Sequence, residues 1–190
     1  FSSRRRHTRY GTVTGVQTCA LPICLETENT REIIIEAENW NIAPFTYGEA
    51  RVVVAQAIEA VAKELALSPN VGLTTLLTDD LEMRKLNKKF RGKDYSTNVL
   101  SFPAFSPESL PSEGHIGDIA VALETVLAEA SAENKLPTHH LAHMIVHGLA
   151  HLAGHDHISD DEADIMEAIE VRALARLGIA NPYLDGAVET

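Results

Sequence analysis

Cysteine is scarce in this chain: two occur in 190 residues, Cys19 and Cys24, both within the first 24. From Leu25 onward there is no thiol, which excludes a disulfide framework and a cysteine-ligated metal site from the body of the protein. No run approaches the ~18 consecutive apolar residues that a membrane span requires. No internal repeat or low-complexity linker marks a second domain. Positive charge is also thin. The net charge is -11, and the first 24 residues hold Arg4, Arg5, Arg6 and Arg9 with no acid, so the body carries 12 basic against 27 acidic residues, a net of -15. That sum disfavours a polyanionic partner, although the distribution of charge matters more than its total.

What remains is ordinary globular composition, 45% hydrophobic and 23% charged, which argues against wholesale disorder and for a soluble, cytoplasmic-type protein without a membrane segment. The length suits one domain. Residues 1–24 are polar and aperiodic, and their one apolar stretch is too short for a secretion signal. They resemble translated adapter or vector read-through; a basic RNA-binding arm or transit peptide is the alternative. The fold is therefore expected in residues 25–190, as a single domain.

Strand-like and helix-like patterns alternate along that body. Strands are expected at 32–38, 71–77, 98–102 and 116–123. Thr46 with Glu49 forms a capping box that opens a helix running to about Leu67, with Val53, Ala57, Ile58, Val61 and Leu65 on its buried face. A short basic helix follows Asp80 and ends near Phe90. Further helices are expected over roughly 123–134, 138–153 and from Ser159–Glu162 to Gly178. The result is an α+β fold with α/β-type layers, a mixed sheet of about four strands packed with about five helices.

Eight histidines lie between His115 and His157, and their spacing is the most informative feature of the chain. His147 and His151 are four apart in a helical pattern, so their imidazoles project from one face, one turn apart, as on a zincin-like metal helix. Gly154 can end the helix and turn the chain back. That reversal brings His157 toward the same point. Three neutral nitrogen donors with a fourth position open is the catalytic pattern for zinc. Asp156 is placed to accept an N–H from a ligand imidazole or to orient the turn. Two histidines at helical spacing are more often plain surface or core residues, but a third just after a helix-ending glycine makes coincidence a poor explanation. His139, His140, His143 and His155 are not expected to be primary ligands.

The residue after the first ligand is Gly148, where zinc proteases of the His-Glu-x-x-His type carry their acid/base glutamate. Amide cleavage needs a proton delivered to a poor leaving group; a phosphodiester instead needs its non-bridging charge stabilised, which a metal and a guanidinium can do without a carboxylate. Phosphoester hydrolysis is the better fit. The counter-charge lies in residues 84–93, which hold Arg84, Lys85, Lys88, Lys89, Arg91 and Lys93, six of the body's 12 basic residues, and no acid. Such a run is commonly a solvated helix face. Here Arg91 lies at the helix end, where its planar fork suits a phosphate, and the six are candidate RNA contacts.

These residues resemble a known family. His147-Gly-Leu-Ala-His151-Leu-Ala-Gly154-His-Asp156-His157, with Phe90-Arg91 before Thr97-Asn-Val-Leu-Ser-Phe-Pro103 and with Gly117-Asp118-Ile119, is similar to the YbeY family of ribosomal-RNA maturation endoribonucleases. The likeness runs in consistent order over roughly residues 32–184, including Asp160-Asp161-Glu162 and Asn181-Pro182-Tyr183. It implies a single-strand-specific endoribonuclease that matures the 3′ end of small-subunit ribosomal RNA and takes part in ribosome quality control. It implies one Zn2+ per chain on His147, His151 and His157, Arg91 as the catalytic or RNA-binding arginine, and Asp118 as a further active-site acid. Small-subunit ribosomal proteins and assembly factors are the implied partners. Ala150 and His155 depart from the family pattern, which commonly has a larger apolar residue and an aromatic there, and the leader has no family counterpart. The rivals are a zinc protease with a remote base, which metal-dependent digestion of denatured casein would reveal, and a non-catalytic assembly factor whose zinc only fixes the last turn.

Overall fold

The computed structural model describes residues 11–12, 31–36, 38–41, 45–106 and 109–184. Among them a mixed sheet is built from β2 (Arg31–Ile35), β3 (Val71–Thr78), β4 (Val99–Pro103) and β5 (Gly114–Ala122), in the order β4-β5-β3-β2. β2, β3 and β5 run parallel, and β4 is antiparallel to β5. A two-residue strand, β1 (Gly11–Thr12), pairs in parallel with Leu100 and Ser101 on the outer side of β4. These two residues belong to the leader that sequence reasoning sets apart; the rest of it lies outside the described residues.

Five helices surround the sheet: α1 (Tyr47–Glu64), α2 (Asp80–Arg91), α3 (Leu123–Ala132), α4 (Pro137–Leu152) and α5 (Asp160–Ala175). The two capping boxes expected at Thr46–Glu49 and Ser159–Glu162 are both formed. In α1 the buried stripe runs through Ala50, Val54, Ala57, Ile58 and Val61, with Val53 and Leu65 only partly buried beside it. Neither α1 nor any other described helix is long and apolar enough to cross a membrane.

The sheet is covered on both faces, so its central strands read as near-continuous apolar runs. One face carries α1 and α4, whose Ile58, Val61, Leu141, Ile145 and Leu149 join Leu77, Val99, Ile119 and Val121 in the main core. The other carries α2, where Met83 and Leu86 join Leu76, Leu100, Phe102 and Ala120, with Phe90 alongside. Trp40 and Phe45 extend the main core, and the Trp40 indole N–H donates to the Thr78 carbonyl at 2.9 Å.

Two departures from regular geometry shape the ground beneath α4. The register of β3 against β5 shifts between Gly72 and Thr74. Beside that shift Gly117 takes φ of 146°, and a Cβ there would stand 2.4 Å from the Phe102 carbonyl oxygen and 2.9 Å from Leu152 Cδ2. Only glycine lets β4 and the end of α4 approach β5 this closely.

Candidate metal centre

α4 begins with Pro137 at its first turn, where the missing N–H is no loss. Nearly all its residues from His140 to Leu152 are buried, because the helix is wedged between the sheet, α1, α3 and α5. His147 and His151 therefore open into the interior, 2% and 3% exposed. Past Leu152 the chain reverses: Gly154 takes φ of 91°, its N–H donates to the His151 carbonyl, and the His155 N–H donates to the Ala150 carbonyl, each at 3.0 Å. The Asp156 carboxylate accepts the His157 backbone N–H at 2.8 Å, which holds the turn in the shape that returns His157 to the helix.

The three imidazoles meet. One nitrogen from each of His147, His151 and His157 lies within 4.8 Å of the others, and the His147 and His151 Nε2 atoms are 3.0 Å apart. His151 donates Nδ1–H to the His155 carbonyl at 2.9 Å, so its Nε2 is a bare lone pair. The other ring nitrogen of His147 faces Glu170, and Nε2 of His157 is buried with no hydrogen-bond partner among the described residues. Burial, and then the neighbouring His147 and His157, push His151 down to about 3. Burial and His147 lower His157 as well. Neutral, inward-facing nitrogens this close repel one another unless a cation lies between them. Tetrahedral zinc, with bonds of 2.0–2.1 Å, would set such nitrogens about 3.3 Å apart, so the donor set fits a divalent ion.

The other histidines have separate partners. His140 pairs with Glu129 at 2.8 Å, His143 with Glu170 at 2.8 Å, and His155 contributes its backbone carbonyl. Asp156 Oδ1 stands 3.9 Å from His151 Nδ1, beyond hydrogen-bond reach; its contact is with the turn.

Asp118 and Arg91 come from other elements, β5 and the end of α2. Pairing sets Asp118 opposite Phe102 and in alternation with Ala120, on the face covered by α2, whereas Gly148 of α4 packs on Ile119 and Ser101 from the opposite face. The Asp118 carboxylate accepts the His115 Nε2–H at 3.0 Å. Phe102 packs edge-on against Phe90, with centroids 5.1 Å apart, so Asp118 and the end of α2 share a layer. Arg91 is the last residue of α2 and half-buried. Within the basic run, Asp94 binds Arg84 at 2.7 Å and Lys88 at 2.9 Å, and Glu82 binds Lys85 at 2.7 Å. Lys89 lies over the Phe90 ring at 4.8 Å. The excess positive charge is thereby concentrated at Lys89, Arg91 and Lys93.

Glu170 escapes sequence reasoning, because an acid on a helix ordinarily faces water. The signal is its position: Met166, Glu170, Ala173 and Leu174 form the buried stripe of α5, and an acid inside an apolar stripe requires a partner.

A sequence profile of the family described as Endoribonuclease YbeY matches residues 34–178. Relatives named Endoribonuclease YbeY include one from Bradyrhizobium diazoefficiens, 44% identical over 158 residues, spanning 81% of this chain and 85% of its own. Another, from Rhodopseudomonas palustris, is 46% identical over 155 residues and spans 80% of each chain. One from Chelativorans sp. is 49% identical over 136 residues, 70% of this chain and 82% of its own. Among solved structures, the solution structure of TM1509 from Thermotoga maritima shares the fold with a TM-score of 0.52 and 22% identity, covering 85% of this chain and 100% of that one. The profile takes in the histidine helix, its returning turn and the end of α2 in a single match, and on that ground the chain belongs to the YbeY endoribonuclease family.

Proposed function

We propose that this protein is a zinc-dependent endoribonuclease that cleaves single-stranded ribosomal RNA and matures the 3′ end of the small-subunit RNA. The observation that carries the reading is three convergent imidazole nitrogens within 4.8 Å of one another, two from a helix whose residue 148 is glycine and one from the turn that follows it. Family membership supplies the reaction class, and the donor set supplies the means.

Zinc, when bound, supplies a Lewis acid for a phosphate oxygen and lowers the pKa of water. His147, His151 and His157 would hold it with neutral nitrogens. Arg91 neutralises charge developing on the non-bridging oxygens; Lys89 and Lys93 flank it and draw the RNA backbone to the end of α2. Asp118 orients His115 on the α2 side and shapes that surface rather than touching the metal. Small-subunit ribosomal proteins and assembly factors are the fitting partners, and the cytoplasm is the fitting compartment.

Proteolysis is disfavoured by packing as well as by residue type, since a Cβ at position 148 would crowd Ile119 Cγ2 at 3.0 Å and Ser101 Oγ at 3.2 Å. The deciding experiment offers metal-loaded protein a defined small-subunit RNA 3′ end and, separately, denatured casein. The reading expects RNA cleavage that disappears in His147→Ala, with casein intact. Cleavage that survives His147→Ala, with trace nucleases excluded, contradicts it; ribosomal-subunit binding without any cleavage favours an assembly factor.

A further inference from the structure

Glu170 is 1% exposed, yet its two oxygens are occupied by three donors, two from α4 and one from the segment after α5. Oε1 accepts the His147 Nδ1–H at 2.7 Å. Oε2 accepts the His143 Nε2–H at 2.8 Å and also the Tyr183 hydroxyl. His143 and Tyr183 touch each other as well, their rings perpendicular with centroids 5.7 Å apart. Burial alone would raise the Glu170 carboxyl, but His147 and His143 outweigh it and hold it below the usual range.

A carboxylate in a core is expensive unless its partners are well placed, and an apolar residue of similar volume often serves stability equally well. Each partner of Glu170 tells something about the ligand it faces. An ionised carboxylate can only accept, so His147 must carry its proton on Nδ1, and its Nε2 lone pair is turned toward His151 and His157. His143 likewise carries its proton on Nε2, and its Nδ1 is buried without a partner among the described residues, an arrangement that a bare acceptor tolerates better than an N–H would. His151 donates its Nδ1–H to the neutral carbonyl of His155 at 2.9 Å, with the Asp156 carboxylate farther off at 3.9 Å. Glu170 thus places a carboxylate in direct hydrogen-bond contact with an imidazole of the triad, where it would offset part of the charge of a buried dication.

We infer that Glu170 is the positioning residue of the metal centre: it fixes the tautomer and strengthens the donor character of His147, while His143 and Tyr183 clamp its carboxylate and so tie metal affinity to the docking of residues 181–183. The inference rests on the reading of His147, His151 and His157 as ligands. It makes Tyr183, remote from the triad in sequence, a determinant of how tightly the ion is held.

The test uses the full chain and measures zinc affinity by competition with a chromogenic chelator, beside the His147 tautomer read from long-range 1H–15N spectra of the zinc-loaded protein. Glu170→Gln is expected to weaken zinc binding by about 10–100-fold, the range for losing a partner behind a metal-bound histidine, and to mix the His147 tautomers. Tyr183→Phe, which removes one hydroxyl, is expected to weaken zinc binding several-fold with its circular dichroism unchanged. Zinc binding that is lost in His151→Ala but unchanged in a folded Glu170→Gln, with a single His147 tautomer, overturns the inference alone. Absence of zinc binding in the unaltered protein overturns the ligand reading and the inference together. Should Glu170→Gln fail to fold, Tyr183→Phe decides: unchanged affinity there overturns the coupling, and several-fold weaker affinity supports it.

Discussion

Gly148 lies flat against Ile119: a Cβ at residue 148 would stand 3.0 Å from Ile119 Cγ2 and 3.2 Å from Ser101 Oγ. Ser101 also donates its hydroxyl to the Gly148 carbonyl at 2.9 Å, so the helix is held down on the sheet where a metalloprotease of this helical pattern would present its glutamate. The glycine beside the first ligand thus suits the close packing of α4 on the sheet as well as the chemistry. Gly148→Ala sets an overpacking cost of about 1–3 kcal/mol against about 1 kcal/mol of helix propensity gained over glycine, and is expected to destabilise on balance, measured by urea denaturation. Gly148→Glu is expected to gain no casein cleavage.

Arg91 makes no side-chain hydrogen bond or ion pair among the described residues, so its loss should leave folding intact. Arg91→Ala is expected to lower kcat/KM on RNA by about 10²–10³, the scale for removing one donor to transition-state charge, with an unchanged melting curve. Arg91→Lys should recover part of this, since it keeps the charge and loses the planar fork. Full activity in Arg91→Ala would place the charge-stabilising group elsewhere.

Asp94 holds Arg84 and Lys88 in a three-membered pair, and the hydrogen bonds from Arg84 and then Lys88 lower its carboxyl to about 2. With a native value below the ordinary one, the pairing is present above the normal carboxylate range and fades only as pH falls through about 2, so it is intact wherever the enzyme works. Asp94→Asn frees both cations. Single-stranded RNA binding should then tighten, and the slope of log affinity against log salt should steepen by up to about 1.4, for two further phosphate contacts. An unchanged slope would remove these two cations from the RNA interface.

Glu64 joins α1 to α5 by bridging Arg172 at 2.9 Å and Arg176 at 2.6 Å, and those two hydrogen bonds hold its carboxyl below the ordinary glutamate value. A lowered carboxyl contributes stability above that value and loses it as pH falls through the native one. Glu64→Gln should therefore leave a shallower loss of melting temperature on acidification below about pH 4.5, seen by comparing melting curves of the two proteins at pH 7 and pH 3.5.

The histidine triad was legible because each member is imposed locally. His147 and His151 share a helix face by the helical period, and Gly154 supplies the positive φ that returns His157. The strands and helices were legible for the same reason, their ends shifting by a few residues where helix caps and sheet pairing decide. Glu170 was not legible, since only the docking of α5 on α4 turns that acid inward toward His143 and His147. The basic run looked unopposed because Asp94 follows it in sequence and Glu82 precedes it, and both fold back onto it. The layer that Asp118 occupies depends on the register shift between Gly72 and Thr74, a three-dimensional event with no local sequence mark.

The central claim is that three imidazoles hold one ion on which RNA cleavage depends. Its most direct test is to titrate zinc into metal-free protein while following bound zinc and the cleavage rate of a small-subunit RNA 3′ end together. The account predicts that the rate rises in step with occupancy and levels off at one zinc per chain, and that His151→Ala neither retains the ion nor cleaves. Cleavage at full rate before zinc is added, or undiminished in His151→Ala, would contradict it.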